Sequence, residues 1–151
     1  MEELVEHEGV VLWGLMGNVY RLVNDRLRHD IADATGLDGS EFEFLLRLAR
    51  FPEAHGMATR VGETMGFTSA GTTKLVARLE RKALIDRSRD PDDGRAYLVG
   101  LTEAGAEALR LGLEAHIPRL EDEVLGHLSA SERVALRTLL TRLDPTLRPE
   151  R

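Results

Sequence analysis

The stretch "RSRDPDDGRAYLVGLT", residues 87–102, decides how the chain is read. Asp90-Pro91-Asp92-Asp93-Gly94 is a turn cluster: proline presets φ, aspartate side chains bond nearby backbone, and glycine accepts a positive φ. After it Tyr97, Val99 and Leu101 alternate as on a half-buried strand, and before it Leu84-Ile85 opens an extended segment. A β-hairpin results, with arginines on both sides of its tip.

Upstream of the hairpin, "MATRVGETMGFTSAGTTKLVARLERKALIDR" splits into two short helices around Gly66-Phe67. Thr68 is placed to cap the second, whose buried side is Leu75, Val76 and Leu79. Two helices joined by a tight glycine-containing turn make a helix-turn-helix. Another helix precedes them in "GLDGSEFEFLLRLARFPEAHG", with Asp38 as N-cap and Glu41 three residues on as a capping box, ending near Phe51-Pro52. From Val10 to about Thr35 the apolar residues recur with helical period, but the stripe is too wide for one face. Such a helix at a chain end either buries one side in its own core and the other in a partner, or forms the centre of a monomer.

Downstream, Thr102 caps a long helix that contains Pro118, where a missing N–H and a crowded preceding turn predict a kink or break. Ser129 and Glu132 form a second capping box and open a last helix with Val134, Leu136, Leu139, Leu140 and Leu143 as its apolar set. "PTLRPER" reads as a frayed tail. The predicted fold is mainly α with a small β-hairpin wing, a winged helix-turn-helix held between helical extensions at both ends.

Composition bounds the function. A chain of 151 residues, 42% hydrophobic and 30% charged, suits one folded unit. It has no cysteine, which excludes disulfides, thiolate metal sites, cysteine nucleophiles and thiol redox sensing. The acidic start "MEELVEHEG" is unlike a signal peptide, and Val10 to Met16 is too short to span a bilayer, so a cytoplasmic protein is expected. Net charge is −6, yet between Ser69 and Arg95 seven cations face five anions. A polyanion would be drawn to that segment and repelled elsewhere.

In a helix-turn-helix the second helix enters the major groove with its N-terminal half toward the base edges. Thr68, Ser69, Ala70, Gly71, Thr73, Lys74 and Arg78 lie opposite its apolar side and supply small polar and basic groups. Thr68 and Ser69 stand where free N–H groups meet a phosphate, and Lys74 can reach a base or the backbone. On the wing, Arg95 beside Gly94 is the candidate for a narrow minor groove, Asp93 for anchoring the loop to an arginine, and Arg87 and Arg89 for phosphates. The plainer alternatives are a solvated charged helix face and an ordinary charged turn.

Residues 68–109, "TSAGTTKLVARLERKALIDRSRDPDDGRAYLVGLTEAGAEAL", resemble the recognition helix, wing and following helix of the multiple antibiotic resistance regulator (MarR) family. The resemblance rests on "RLERKALIDR", on Asp93-x-Arg95 and on "LTEAG", and extends more loosely over nearly the whole chain. It implies one MarR-like domain over 1–151, with a DNA-binding lobe at 37–101 and dimerisation helices at 8–36 and 102–145. It also implies a homodimeric regulator of a pseudo-palindromic operator, usually a repressor, often released by a small aromatic or phenolic ligand. In the family's pattern Lys74 takes the place of a base-contacting cation and Arg95 that of the minor-groove arginine. Two positions depart from it: Gly62 stands where alanine is usual, at a cost of about 1 kcal/mol of helix stability, and Gly71 where a small hydroxyl residue is common.

Trp13, Met16, Tyr20, Phe42 and Phe44 are candidates for an aromatic effector pocket, against the alternative that they are simply core. The five histidines (His7, His29, His55, His116, His127) include no pair with metal-ligand spacing on one helix face, so no metal or other cofactor is expected. No phosphate-binding glycine loop, nucleophile elbow or convincing carboxylate pair is present, so an enzyme is not expected. The competing non-enzymatic reading is a winged helix that binds another protein without sequence-specific DNA binding.

Overall fold

The computed structural model describes residues 1–89 and 97–144. A short helix α1 (Glu2–Val5) precedes the long α2 (Glu8–Thr35), which ends at Gly36 in the left-handed conformation that glycine accepts without strain. Next come α3 (Gly39–Leu48), β1 (His55–Met57), α4 (Ala58–Thr64), α5 (Ser69–Arg81), β2 (Ile85–Arg89), β3 (Tyr97–Leu101), α6 (Glu103–Glu123) and α7 (Ala130–Leu143). The capping residues read from the sequence act as such. Asp38 accepts from the N–H groups of Ser40 and Glu41 at 2.9 Å each while Glu41 reaches back to the Asp38 N–H at 3.0 Å. Thr68, Thr102 and Ser129 cap α5, α6 and α7.

The core sits where α3, α4, α5 and the sheet meet. Phe44, Leu45 and Leu48 from α3, Val61 from α4, Leu79 from α5 and Val99 from β3 are fully buried there. On α3 Leu48 follows Leu45 by three and Phe44 by four, and on α5 Leu79 follows Val76 by three and Leu75 by four, so each helix turns one face inward. Burial of the six fully buried side chains is worth about 1.5–3 kcal/mol each, which fixes how α5 and the hairpin sit on the lobe.

One expectation is extended and one is corrected. The hairpin is part of a three-stranded antiparallel sheet in the order β1-β3-β2, with His55 opposite Gly100 and Arg87 opposite Val99. β1 is only His-Gly-Met, too short to alternate, and it pairs because Gly56 lets the Phe51 ring lie against its backbone. Nor does α6 break at Pro118: it is continuous from Glu103 to Glu123. Pro118 faces solvent, so the carbonyl that loses its donor can be hydrated, and the next residue, Arg119, is fastened to α2 by two bonds to Asp30 at 2.7 and 3.0 Å.

α6 runs antiparallel to the second half of α2, joined by the Asp30–Arg119 and Arg26–Glu123 pairs. Every residue of the first half of α2, residues 8–22, and every residue of α7 is exposed. At 1.5 Å per residue the free half of α2 extends about 22 Å. Both segments are apolar on their surfaces, with Trp13 the most exposed of the α2 set at 75%.

Candidate nucleic-acid interface

α5 is positioned by its buried side. Thr72, Leu75, Val76 and Leu79 face inward, which turns Thr68, Ser69, Ala70, Thr73 and Lys74 outward, with Gly71 half-buried. The Thr68 hydroxyl accepts from the Gly71 N–H at 3.2 Å, and the Thr68 carbonyl takes the Thr72 N–H at 2.9 Å. The N–H groups of Ser69 and Ala70 have no helical carbonyl within reach, and they lie at the positive end of the helix dipole. Thr73 turns its hydroxyl hydrogen back to the Ser69 carbonyl at 2.9 Å, leaving the oxygen to accept. The outward surface of α5 therefore offers donors for an anion, a hydroxyl that accepts, and the Lys74 ammonium.

Arg78 does not belong to that surface alone. The sequence placed it with the DNA-facing residues, but in the structure its guanidinium turns toward the start of α3, 2.9 Å from Asp38 and 3.7 Å from Glu41. The reason is position: residue 78 follows Leu75 by three and precedes Leu79, so it lies at the edge of the buried side, next to two carboxylates. Lys82 is likewise 2.7 Å from Glu41. Neither pairing was legible beforehand, because the partners are some forty residues apart in the chain.

On the wing, Asp86, Arg87, Ser88 and Arg89 are all exposed, so β2 beyond Ile85 stands clear of the lobe. The Arg87 guanidinium lies over the Tyr97 ring, 3.6 Å from its centroid. Such a stack holds a planar cation in a fixed orientation while leaving its edge donors free. It was missed in the sequence, although the strand register brings the two together: Arg87 pairs with Val99 and Arg89 with Tyr97. Asp93 and Arg95, the expected loop anchor and minor-groove residue, lie outside the described residues.

The aromatic set does not gather in one chain. Phe42 is 3% exposed, beneath α6, where Gly112 leaves space for its ring, and Phe44 is a core residue. Trp13, Met16 and Tyr20 are exposed on the free half of α2. Beside Phe42, with ring centroids 5.6 Å apart, is the half-buried His116, whose Nδ1 has no hydrogen-bond partner. Burial pushes its pKa below the ordinary histidine value, an effect partly countered by Glu43 and Asp30. Asp30 itself is held below the usual carboxylate range by its hydrogen bond to Arg119. Among the described residues no cluster of three or more acidic or histidine side chains has the arrangement of a metal site, and no described helix is long and apolar enough to cross a membrane.

Comparison with known proteins gives a consistent answer. Residues 35–96 match the model of the MarR family. The uncharacterized HTH-type transcriptional regulator YdgJ of Bacillus subtilis is 29% identical over 136 residues, which are 90% of this chain and 78% of that protein. A probable transcriptional regulator from Pseudomonas aeruginosa, known by crystal structure, is 32% identical with a TM-score of 0.67, and the match covers 93% of this chain and 99% of that one. The transcriptional repressor CouR, bound to a 23-mer DNA duplex, is 26% identical with a TM-score of 0.74, covering 93% of this chain and 94% of that one.

Proposed function

The chain belongs to the MarR family of winged-helix transcriptional regulators, and on that premise we propose that two copies form a repressor that grips a pseudo-palindromic operator. The observation that carries this is the outward face of α5, Thr68 to Lys74, standing beside an exposed β2 that holds out Arg87 and Arg89. Thr68, Ser69, Ala70, Gly71, Thr73 and Lys74 would meet the major groove, and Arg87 and Arg89 the phosphates, with Asp93 and Arg95 assigned to the wing tip on sequence alone. Residues 37–101 then act as the DNA-binding lobe, and 8–36 with 102–145 as the dimerisation helices. Two such lobes related by a two-fold meet major grooves about 34 Å apart, one turn of the duplex.

A small aromatic or phenolic effector would act by binding more tightly to a dimer whose lobes are held at another separation; without that differential affinity nothing switches. Trp13, Met16 and Tyr20 contribute to such a site only where a second copy covers them, and Phe42 only if α6 shifts off its ring.

The test is a titration of the chain against a fluorescein-labelled duplex selected from a random-sequence pool, at two salt concentrations. Binding is expected to weaken steeply with salt, as phosphate contacts require. Lys74→Ala should weaken binding and relax the sequence preference, while leaving the melting temperature in place. The internal pairing of Arg78 and Lys82 with Asp38 and Glu41 lowers the free positive charge of α5 and favours the second reading, a protein-binding winged helix. Under it no duplex is retained even at low salt.

A further inference from the structure

We propose that Glu41 is a positioning residue that ties the recognition helix α5 to the end of the long helix α2, and thereby sets the separation at which two copies present α5 to a duplex. The consequence for DNA rests on the reading above; the tie itself does not.

Glu41 is a buried carboxylate, 3% exposed, and three elements converge on it. Its Oε2 accepts the Asp38 N–H at 3.0 Å, at the start of α3. The same oxygen takes Lys82 Nζ at 2.7 Å from the end of α5, and Oε1 lies 3.7 Å from Arg78 Nε one turn earlier. Lys82 Nζ is also 3.4 Å from the carbonyl of Gly36, the residue that ends α2. Arg78 completes the ring on Asp38 at 2.9 Å.

A capped helix start does not need this charge. Asp38 alone accepts from both first-turn N–H groups, and glutamine serves the capping box as well as glutamate does. A buried carboxylate is costly unless it is paired, and the pairs it makes here are with the C-terminal end of α5 and, through Lys82, with the end of α2. α5 is about 20 Å long, so a small rotation imposed at Arg78 and Lys82 displaces the Thr68–Lys74 end that faces the groove. Movement of α2 against its partner copy is passed by this ring to the helix that reads DNA.

Glu41→Gln keeps the cap and removes the charge. In the full-length chain, on the duplex selected by the wild type, affinity is expected to fall about three- to thirtyfold. The slope of affinity against salt should stay unchanged, because Arg78 and Lys82 are not phosphate ligands in this scheme. On duplexes with one base pair added or removed between half-sites, the variant should discriminate less than the wild type. Lys82→Gln should reproduce these effects, and the double variant should add little to either. Retained affinity with retained spacing preference in both single variants would overturn the proposal, as would a loss of affinity accompanied by a shallower salt slope in Lys82→Gln. Should Glu41→Gln fail to fold, Lys82→Gln carries the test alone, since Lys82 is a surface side chain. Amide exchange of the free protein separates this idea from the DNA reading. Both variants should exchange faster in the last turn of α5 and at Gly36 even if no duplex is ever selected, and unchanged exchange there would sink the tie by itself.

Discussion

At Gly62 the two helices of the helix-turn-helix approach so closely that a Cβ would overlap the Thr72 side chain, with the Thr72 Cβ itself only 2.9 Å away. The glycine that looked like a weakness in α4 is thus matched by a threonine in α5. Alanine at 62 gains about 1 kcal/mol of helix propensity but overpacks the crossing, which costs about 1–3 kcal/mol. Gly62→Ala is therefore expected to lower the urea midpoint. Thr72→Ala should be destabilising in the wild type and restorative in the Gly62→Ala background, a sign reversal that only a shared contact produces. A second residue carries strain of another kind. Ala83 sits at φ 55° just after α5, a conformation disfavoured by its Cβ, and its carbonyl accepts from the Thr102 hydroxyl at 2.7 Å. Ala83→Gly should raise stability by about 0.5–1 kcal/mol in the same denaturation experiment.

Elements were legible wherever their signal was local. Asp38 with Glu41, Thr68, Thr102 and Ser129 with Glu132 mark helix starts within four residues of sequence, and all of them cap. What escaped is what distant partners decide. β1 exists because β3 offers an edge to three residues without alternation of their own, and α6 runs through Pro118 with Asp30 on α2 holding the next residue. The outward face of α5 followed from its apolar period, whereas the diversion of Arg78 needed the fold to bring Asp38 alongside. The junction of α6 with α3 and α2 carries a pH dependence of the same distant origin. His116 has its pKa lowered by burial, so as pH falls below about 6.5 the unfolded chain takes up a proton that the folded chain refuses. Stability is expected to decline from pH 7 to 5, and His116→Phe, which keeps a ring against Phe42, should flatten that slope. The Asp30 contribution has the opposite origin, a depressed carboxylate, and is lost only below about pH 4. The two windows can therefore be separated by urea midpoints at pH 7.5, 5.5 and 3.5, and a slope between the first two that persists in His116→Phe would refute the assignment.

For the whole molecule the decisive fact is that a 14-residue helix and half of a 28-residue one are exposed along their apolar faces. Isolated helices of this length are marginal in water, so burial of those faces must supply what holds them. A second copy offers the same surfaces, and a two-fold arrangement lets α2 and α7 of each cover those of the other. Each leucine or valine so covered contributes about 1.5–3 kcal/mol, and a substitution counts twice in a symmetric interface. Melting temperature should therefore rise with protein concentration. Leu15→Asp combined with Leu139→Asp should yield monomers in sedimentation, with lower helical signal because the free segments unwind. Under the proposed function Lys74, Arg87 and Arg89 are the DNA contacts and are untouched, so each monomer should still meet a half-site. It loses the second engagement, and affinity for the full duplex should drop by about a hundredfold or more. If the double variant remained dimeric, the exposed apolar faces would not be the interface. If it became monomeric yet bound the duplex as tightly as the wild type, the two lobes would not be acting together, and gripping adjacent grooves as a pair would not be how this chain holds DNA.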